Sequence, residues 1–146
     1  MFYLGVDVGK RGAIGVIPKD DPTAYQVFPY SDEKLKEICE TYSGNCKAVV
    51  EQVHSFPRDS NQGAFNFGCS FGFVQGMLTA FGIPYQLVPP QKWQKEYSLG
   101  SKTDSIETAK KLFPGINLLP TERSRKESDG MSDAILICEY GRRHMK

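Results

Sequence analysis

The sequence predicts an α/β fold built on one mixed five-stranded sheet, its first three strands antiparallel and the later ones parallel, flanked by helices. Three observations point to it. Three strand-like runs follow one another within the first 29 residues, joined only by short polar turns, as in an antiparallel meander. Two later strand-like runs are each reached through a segment of helical period, long enough to cross over a sheet. The resulting order, βββαβαβαα, is interrupted by no repeat, linker or low-complexity tract, so residues 1–146 are expected to form a single domain.

The stretch Phe2 to Val16 alternates apolar and β-branched residues from Tyr3 to Val8, breaks at Gly9-Lys10-Arg11-Gly12 and resumes from Ala13 to Ile17, a hairpin pattern. The polar turn Lys19-Asp20-Asp21-Pro22 leads to a third short strand, Thr23 to Pro29. Ser31 or Asp32 can cap a helix whose Leu35, Ile38, Cys39 and Tyr42 share one face, ending near Gly44. Lys47 to Val53 has strand character and contains Glu51 near its end. The loop from His54 to Asn61 precedes a long helix with the apolar stripe Phe67, Phe71, Val74, Leu78 and Phe81. On another face, Gly68, Gly72 and Gly76 recur every four residues. They cost helix propensity but admit a second backbone, either that of the chain's own sheet or that of a second copy across a two-fold axis. Ile83 to Val88 is the fifth strand, closed by Pro89-Pro90. After Gln91 to Tyr97 a helix starts at Ser101, where Asp104 completes a variant capping box, and Ile106, Ala109 and Phe113 form its inner face. Pro114-Gly115 ends it, and Leu118 to Lys126 follows as a basic loop. Asp129 or Ser132 opens the last helix, with Ala134, Ile135 and Cys138 inward and Arg142, Arg143 and His144 at the end where cations suit the helix dipole.

An apolar fraction of 40% and a charged fraction of 24% exclude disordered and fibrous classes. No apolar run reaches membrane-span length, so no membrane partner is expected. The chain enters a strand at once, without a charged leader. The expected setting is a reducing compartment, cytoplasmic, viral or organellar, and not a secreted one. Cys39, Cys46, Cys69 and Cys138 form no CxxC pair and are expected as free, mostly buried thiols. The net charge of +1 hides an asymmetry: residues 1–57 carry six Lys and Arg against eight Asp and Glu, residues 58–146 twelve against nine. With Asp7, Glu51, Asp129 and Asp133 neutralised by metal, eighteen positive groups would face thirteen negative ones, a balance suited to holding a polyanion.

Asp7 stands between Val6 and Val8, in a run otherwise fit for a core. A carboxylate there is costly to desolvate unless a cation or hydrogen-bond donors meet it. It either starts a turn or serves as a metal ligand at a sheet edge. Glu51 is a second carboxylate at the end of a buried strand, and the crossover helix would return that strand beside the first. Asp129 and Asp133 open the last helix four positions apart. Each acid has an ordinary reading as well: a helix cap for Asp129, a first-turn acid for Asp133, a lysine partner for Glu51. Jointly they match the all-oxygen environment that hard cations prefer, and two ions roughly 3.5–4 Å apart can activate a water and stabilise the leaving oxygen of a phosphodiester. The expected cofactor is Mg²⁺ or Mn²⁺, two per site, and the expected reaction is hydrolysis of a nucleic-acid backbone.

The blocks LGVDVGKRGAIGV, VVEQVHSF, FGFVQGMLTA, LGSKTDSIETAKKLF and SDGMSDAILICEYG resemble the successive blocks of the RuvC-type Holliday junction resolvases over nearly the whole chain. The resemblance implies a three-layer ribonuclease H-like fold and a homodimeric, metal-dependent endonuclease that nicks a four-way DNA junction in pairs. Asp7 and Glu51 match the family's first two acids and Asp133 its last. The family's third acid or histidine stands three positions before the last. Here that place is Gly130, and Asp129 is the nearest substitute. Val8 replaces a proline frequent after the first aspartate. Lys102 resembles the family's lysine near the scissile phosphate. His54 and Phe56 follow Glu51 where the family places an aromatic that stacks at the opened junction centre; His54 has the nearer alignment and Phe56 the better stacking chemistry.

Arg58, Lys92, Lys95, Arg123, Arg125 and Lys126 are candidates for phosphate contacts, which position DNA without reading its sequence. Trp93, among them, reads as a packing residue. A ribonuclease or flap nuclease on the same fold and a non-catalytic junction-binding protein are the alternatives. No nucleotide cofactor is expected: an actin-like ATPase also begins with a DxG hairpin, but needs a second domain that 146 residues cannot supply.

Overall fold

The computed structural model describes residues 1–53, 57–100 and 102–146, without the side chains of residues 102 and 103. Its strands are β1 (Phe2–Asp7), β2 (Ala13–Pro18), β3 (Gln26–Pro29), β4 (Cys46–Glu51) and β5 (Tyr85–Val88). They form one sheet in the order β3-β2-β1-β4-β5. The pairs β1–β2 and β2–β3 are antiparallel, and β1–β4 and β4–β5 are parallel. This is the expected fold class, and it arises as connection length requires: tight turns join the antiparallel strands, helices the parallel ones.

The helices are α1 (Asp32–Tyr42), α2 (Asn61–Ala80), α3 (Pro90–Glu96), α4 (Lys102–Leu112) and α5 (Asp129–His144). Alternation along the strands separates two cores. Leu4, Val6, Ile14, Val16, Ala48 and Val50 face α1 and α2, meeting Leu35, Ile38, Val74 and Leu78. Tyr3, Ala13, Ile17 and Val49 face the other way, toward Trp93 of α3, Ala109 of α4 and Ala134 to Cys138 of α5. Each fully buried Leu or Ile stabilises the fold by roughly 1.5–3 kcal/mol relative to exposure. The outcome is a three-layer arrangement, with α1 and α2 on one face and α3, α4 and α5 on the other.

The α5 helix is buried from Gly130 to Gly141 and lies directly on β1 and β2. Gly5 and Gly15 permit this: a Cβ on Gly5 would stand 2.4 Å from the Cys138 nitrogen, and one on Gly15 3.0 Å from the Ala134 oxygen. The far end of α5 is tied by ion pairs. Glu139, almost inaccessible, accepts from Arg142 at 2.7 and 2.8 Å and from Arg143 at 2.8 Å, while Arg143 and His144 also reach Glu96 at the end of α3. Burial pushes the Glu139 carboxyl up, but hydrogen bonds and charge from the two guanidiniums outweigh it and hold its pKa below the ordinary value.

Several expectations need correction. The third strand is shorter than Thr23 to Pro29, because Pro22–Ala24 forms a 3₁₀ turn whose Thr23 amide is capped by Asp21 Oδ1 at 3.1 Å. Gln91 to Tyr97 lies largely in a helix, α3, absent from the expected order; Pro90 occupies its first turn, where a missing N–H costs nothing. The last helix is capped by Ser128, whose Oγ accepts from the Met131 amide at 3.3 Å, not by Asp129 or Ser132. Gly68, Gly72 and Gly76 do not meet the sheet: a Cβ on any of them would enter open space. The four cysteines are free thiols, but only Cys39, Cys46 and Cys138 are buried; Cys69 is exposed on α2. Among the described residues no helix is long and apolar enough to cross a membrane.

Two outcomes follow. Gly5→Ala should lower unfolding free energy by about 3 kcal/mol, read as a reduced urea midpoint, because the new methyl meets helix backbone that cannot rotate away; an unchanged midpoint would show that α5 does not lie as described. Glu139→Gln should destabilise the protein at neutral pH. Because the folded pKa is depressed, the wild-type advantage is complete above the ordinary glutamate range and shrinks as pH falls through the lowered folded value. A gap between the two proteins that persists at strongly acidic pH would refute the ion-pair account.

Candidate metal and nucleic-acid site

The parallel pair β1–β4 runs to Val6 opposite Val50, and the next residue on each strand is Asp7 and Glu51. Both share the strand phase of Tyr3 and Val49, which pack toward α5, so both carboxylates rise from the sheet face that α5 covers. Asp7 and Glu51 are half-buried. A hairpin strand and a crossover strand thus deliver two acids side by side at one end of the sheet.

Each acid is met by a neutral donor or a close backbone. Glu51 Oε2 accepts from Trp93 Nε1 at 2.7 Å. Trp93 is fully buried and packed, as expected, but its indole also holds a site carboxylate, which the sequence reading missed. The chain path explains the contact. Glu51 pairs with Val88, the Gln52 amide donates to the Val88 carbonyl at 2.8 Å, and Pro89-Pro90 then stops the strand and starts α3, placing Trp93 in its first turns. Asp133, 4% exposed, has its Oδ1 2.5 Å from Ser105 Oγ of α4. Ser105 Oγ also lies 2.8 Å from Ser132 Oγ, which donates to the Asp129 carbonyl at 2.9 Å.

Gly130 of α5 abuts Asp7. A Cβ there would stand 3.5 Å from Asp7 Oδ2 but only 1.8 Å from the Arg11 carbonyl oxygen. The β1–β2 turn therefore presses on the start of α5, and no side chain fits at the place where the resolvase pattern has an acid or histidine. Asp129 instead lines an adjoining cleft of about 570 Å³, together with Lys10, Arg11, Lys126 and Glu127. Lys10 and Arg11, exposed at its mouth, were not singled out from the sequence. Their signal was present in the GKRG turn beside Asp7.

Asp7 and Glu51 pair two carboxylates at adjacent strand ends and Asp133 stands on α5, all oxygen donors of the kind a hard cation prefers. Among the described residues no three His, Cys, Asp or Glu side chains already stand together in ligand range. The paired carboxylates of Asp7 and Glu51 are of the number Mg²⁺ commonly takes, the rest of its shell being water and phosphate oxygens. Of the remaining predicted residues, Arg58, Lys92, Lys95, Arg123, Arg125 and Lys126 are all exposed, and Lys126 alone among them lines the cleft. Lys102 is the first residue of α4, one turn before Ser105; its side chain lies outside the described residues, as do His54 and Phe56.

No protein-family model and no curated protein matches the chain in sequence. Solved structures do match. The RuvC structure of Thermus thermophilus aligns with a TM-score of 0.63 at 16% identity, covering 94% of this chain and 91% of that one. T. thermophilus RuvC in complex with Holliday junction substrate aligns with a TM-score of 0.66 at 15% identity, covering 99% and 96%. These alignments over nearly the whole of both chains, on a mixed five-stranded sheet flanked by helices, give this chain the RuvC-type, ribonuclease H-like fold.

Proposed function

We propose that the chain is a metal-dependent endonuclease that resolves four-way DNA junctions, working as a homodimer in which each subunit nicks one strand. The observation that carries this reading is the pairing of Asp7 and Glu51 at the ends of β1 and β4, with the first turn of α5 against Asp7, on a fold shared with a protein solved with a Holliday junction. Mg²⁺ or Mn²⁺, two per site, held by Asp7, Glu51, Asp133 and Asp129, would supply an activated water and neutralise charge on the leaving oxygen.

The chain's own residues do the rest. Asp7 and Glu51 bring fixed negative charge to one point. Lys102 supports the scissile phosphate from the start of α4. Arg58, Lys92, Lys95, Arg123, Arg125 and Lys126 neutralise flanking phosphates, which makes binding strong at low salt and weak at high salt. His54 or Phe56 stacks on a base at the junction centre.

The dimer reading rests on α2. Its outward face carries Phe65, 71% exposed, and Phe73, 39% exposed, among Gly68, Gly72 and Gly76, where nothing occupies the space above the backbone. Large rings beside glycine grooves, repeated along one helix, are what two copies need to pack closely across a two-fold axis.

Asp7→Asn should reduce Mg²⁺-dependent cleavage of a synthetic four-way junction by more than about 100-fold while leaving junction binding in Ca²⁺ intact. Wild-type rates in that variant would refute the metal mechanism, and faster cutting of a flap or an RNA·DNA hybrid than of the junction would refute the substrate. Wild-type protein should sediment as a dimer and Phe73→Glu as a folded monomer that makes unpaired nicks; a dimeric Phe73→Glu would move the interface away from α2.

A further inference from the structure

We infer that Trp93 and Ser105 are positioning residues that aim Glu51 and Asp133 at the bound cation, and that Trp93 thereby reports metal occupancy through its own fluorescence. This rests on the proposed metal site. The two contacts share a design. In each, a buried neutral group from the layer beside α5 touches one oxygen of a site carboxylate: the Trp93 indole N–H at 2.7 Å from Glu51 Oε2, and the Ser105 hydroxyl at 2.5 Å from Asp133 Oδ1. Both donors are sealed from water, Trp93 fully and Ser105 at 1% exposure, so neither contact competes with solvent.

Neutrality matters as much as position. A lysine or arginine in either place would orient the carboxylate too, but would cancel the charge the cation needs. An indole N–H or a hydroxyl fixes the carboxylate plane and leaves its charge. Packing alone does not account for the pair. A buried indole N–H needs some acceptor, yet a backbone carbonyl would serve; here the acceptor is the acid that ends β4. Ser105 Oγ also lies 2.8 Å from Ser132 Oγ, so α4 meets the first turn of α5 directly beside Asp133.

Trp93 is the only tryptophan in the chain, so its emission has a single source. Mg²⁺ titrated into the wild-type protein without DNA should change that emission saturably, in step with binding measured by calorimetry. Glu51→Gln should abolish the change. Ser105→Ala should weaken Mg²⁺ affinity about 10- to 100-fold, the usual effect of removing a group behind a ligand, and Ser105→Thr should restore it. Trp93→Phe should weaken affinity to a similar extent. Should that variant unfold, the wild-type titration and the serine pair decide the matter alone. Calorimetric binding with unchanged Trp93 emission, or Ser105→Ala binding Mg²⁺ as the wild type does, overturns the positioning role while leaving the metal site standing. Absence of any Mg²⁺ binding by wild-type protein overturns the metal site itself.

Discussion

The backbone of α5 lies directly against the sheet beneath it, and the remaining architecture depends on that contact. Gly5 of β1 and Gly15 of β2 remove the side chains that would hold a helix at its usual distance, while Gly130 removes one that would strike the β1–β2 turn. The helix thus sits on the sheet along most of its length, with Gly130 of its first turn at the end of β1 and Gly141, near its other end, against Val49 of β4. An ordinary spacing, with a Cβ at each of these places, would lift α5 and carry Asp133 away from the strand ends. The ion pairs of Glu139 with Arg142 and Arg143 then anchor the opposite end of the same helix.

This closeness has a consequence for the acids. A carboxylate beside a buried helix start cannot rely on bulk water, so its partners must come from the protein or from a bound cation. The layer of α3 and α4 provides some of them as neutral donors, Trp93 and Ser105, rather than as ammonium or guanidinium groups. Among the described side chains, Lys10, Arg11 and Lys126 line the cleft, and Arg58, Lys92, Lys95, Arg123 and Arg125 are exposed on the surface.

The opposite face of the molecule follows a different logic. There α1 and α2 cover the second core with Leu35, Ile38, Val74 and Leu78, and α2 turns phenylalanine and glycine outward. The four-residue spacing of Gly68, Gly72 and Gly76 was visible in the sequence, but two backbones could have used it. The tertiary structure removed the chain's own sheet from consideration, because Val74 and Leu78 already occupy the side of α2 that meets it.

By itself the sequence determined the succession of five strands, the mixed pairing, the neighbourhood of the first and fourth strands, the inward faces of the helices and the presence of acids at the ends of two buried runs. These are local matters, set by side-chain period, turn residues and connection length. It left α3 out, because a seven-residue helix is too short for a period to show, and it misplaced the cap of α5 by one residue among several good capping side chains. Only the tertiary structure decided that Gly130 stands against Asp7 with no room for a side chain, and that Trp93 and Ser105 hold site carboxylates. Those relations join residues 28 to 123 positions apart in the chain, through a helix crossing at backbone contact, and no local pattern of residues encodes the distance at which two elements stop.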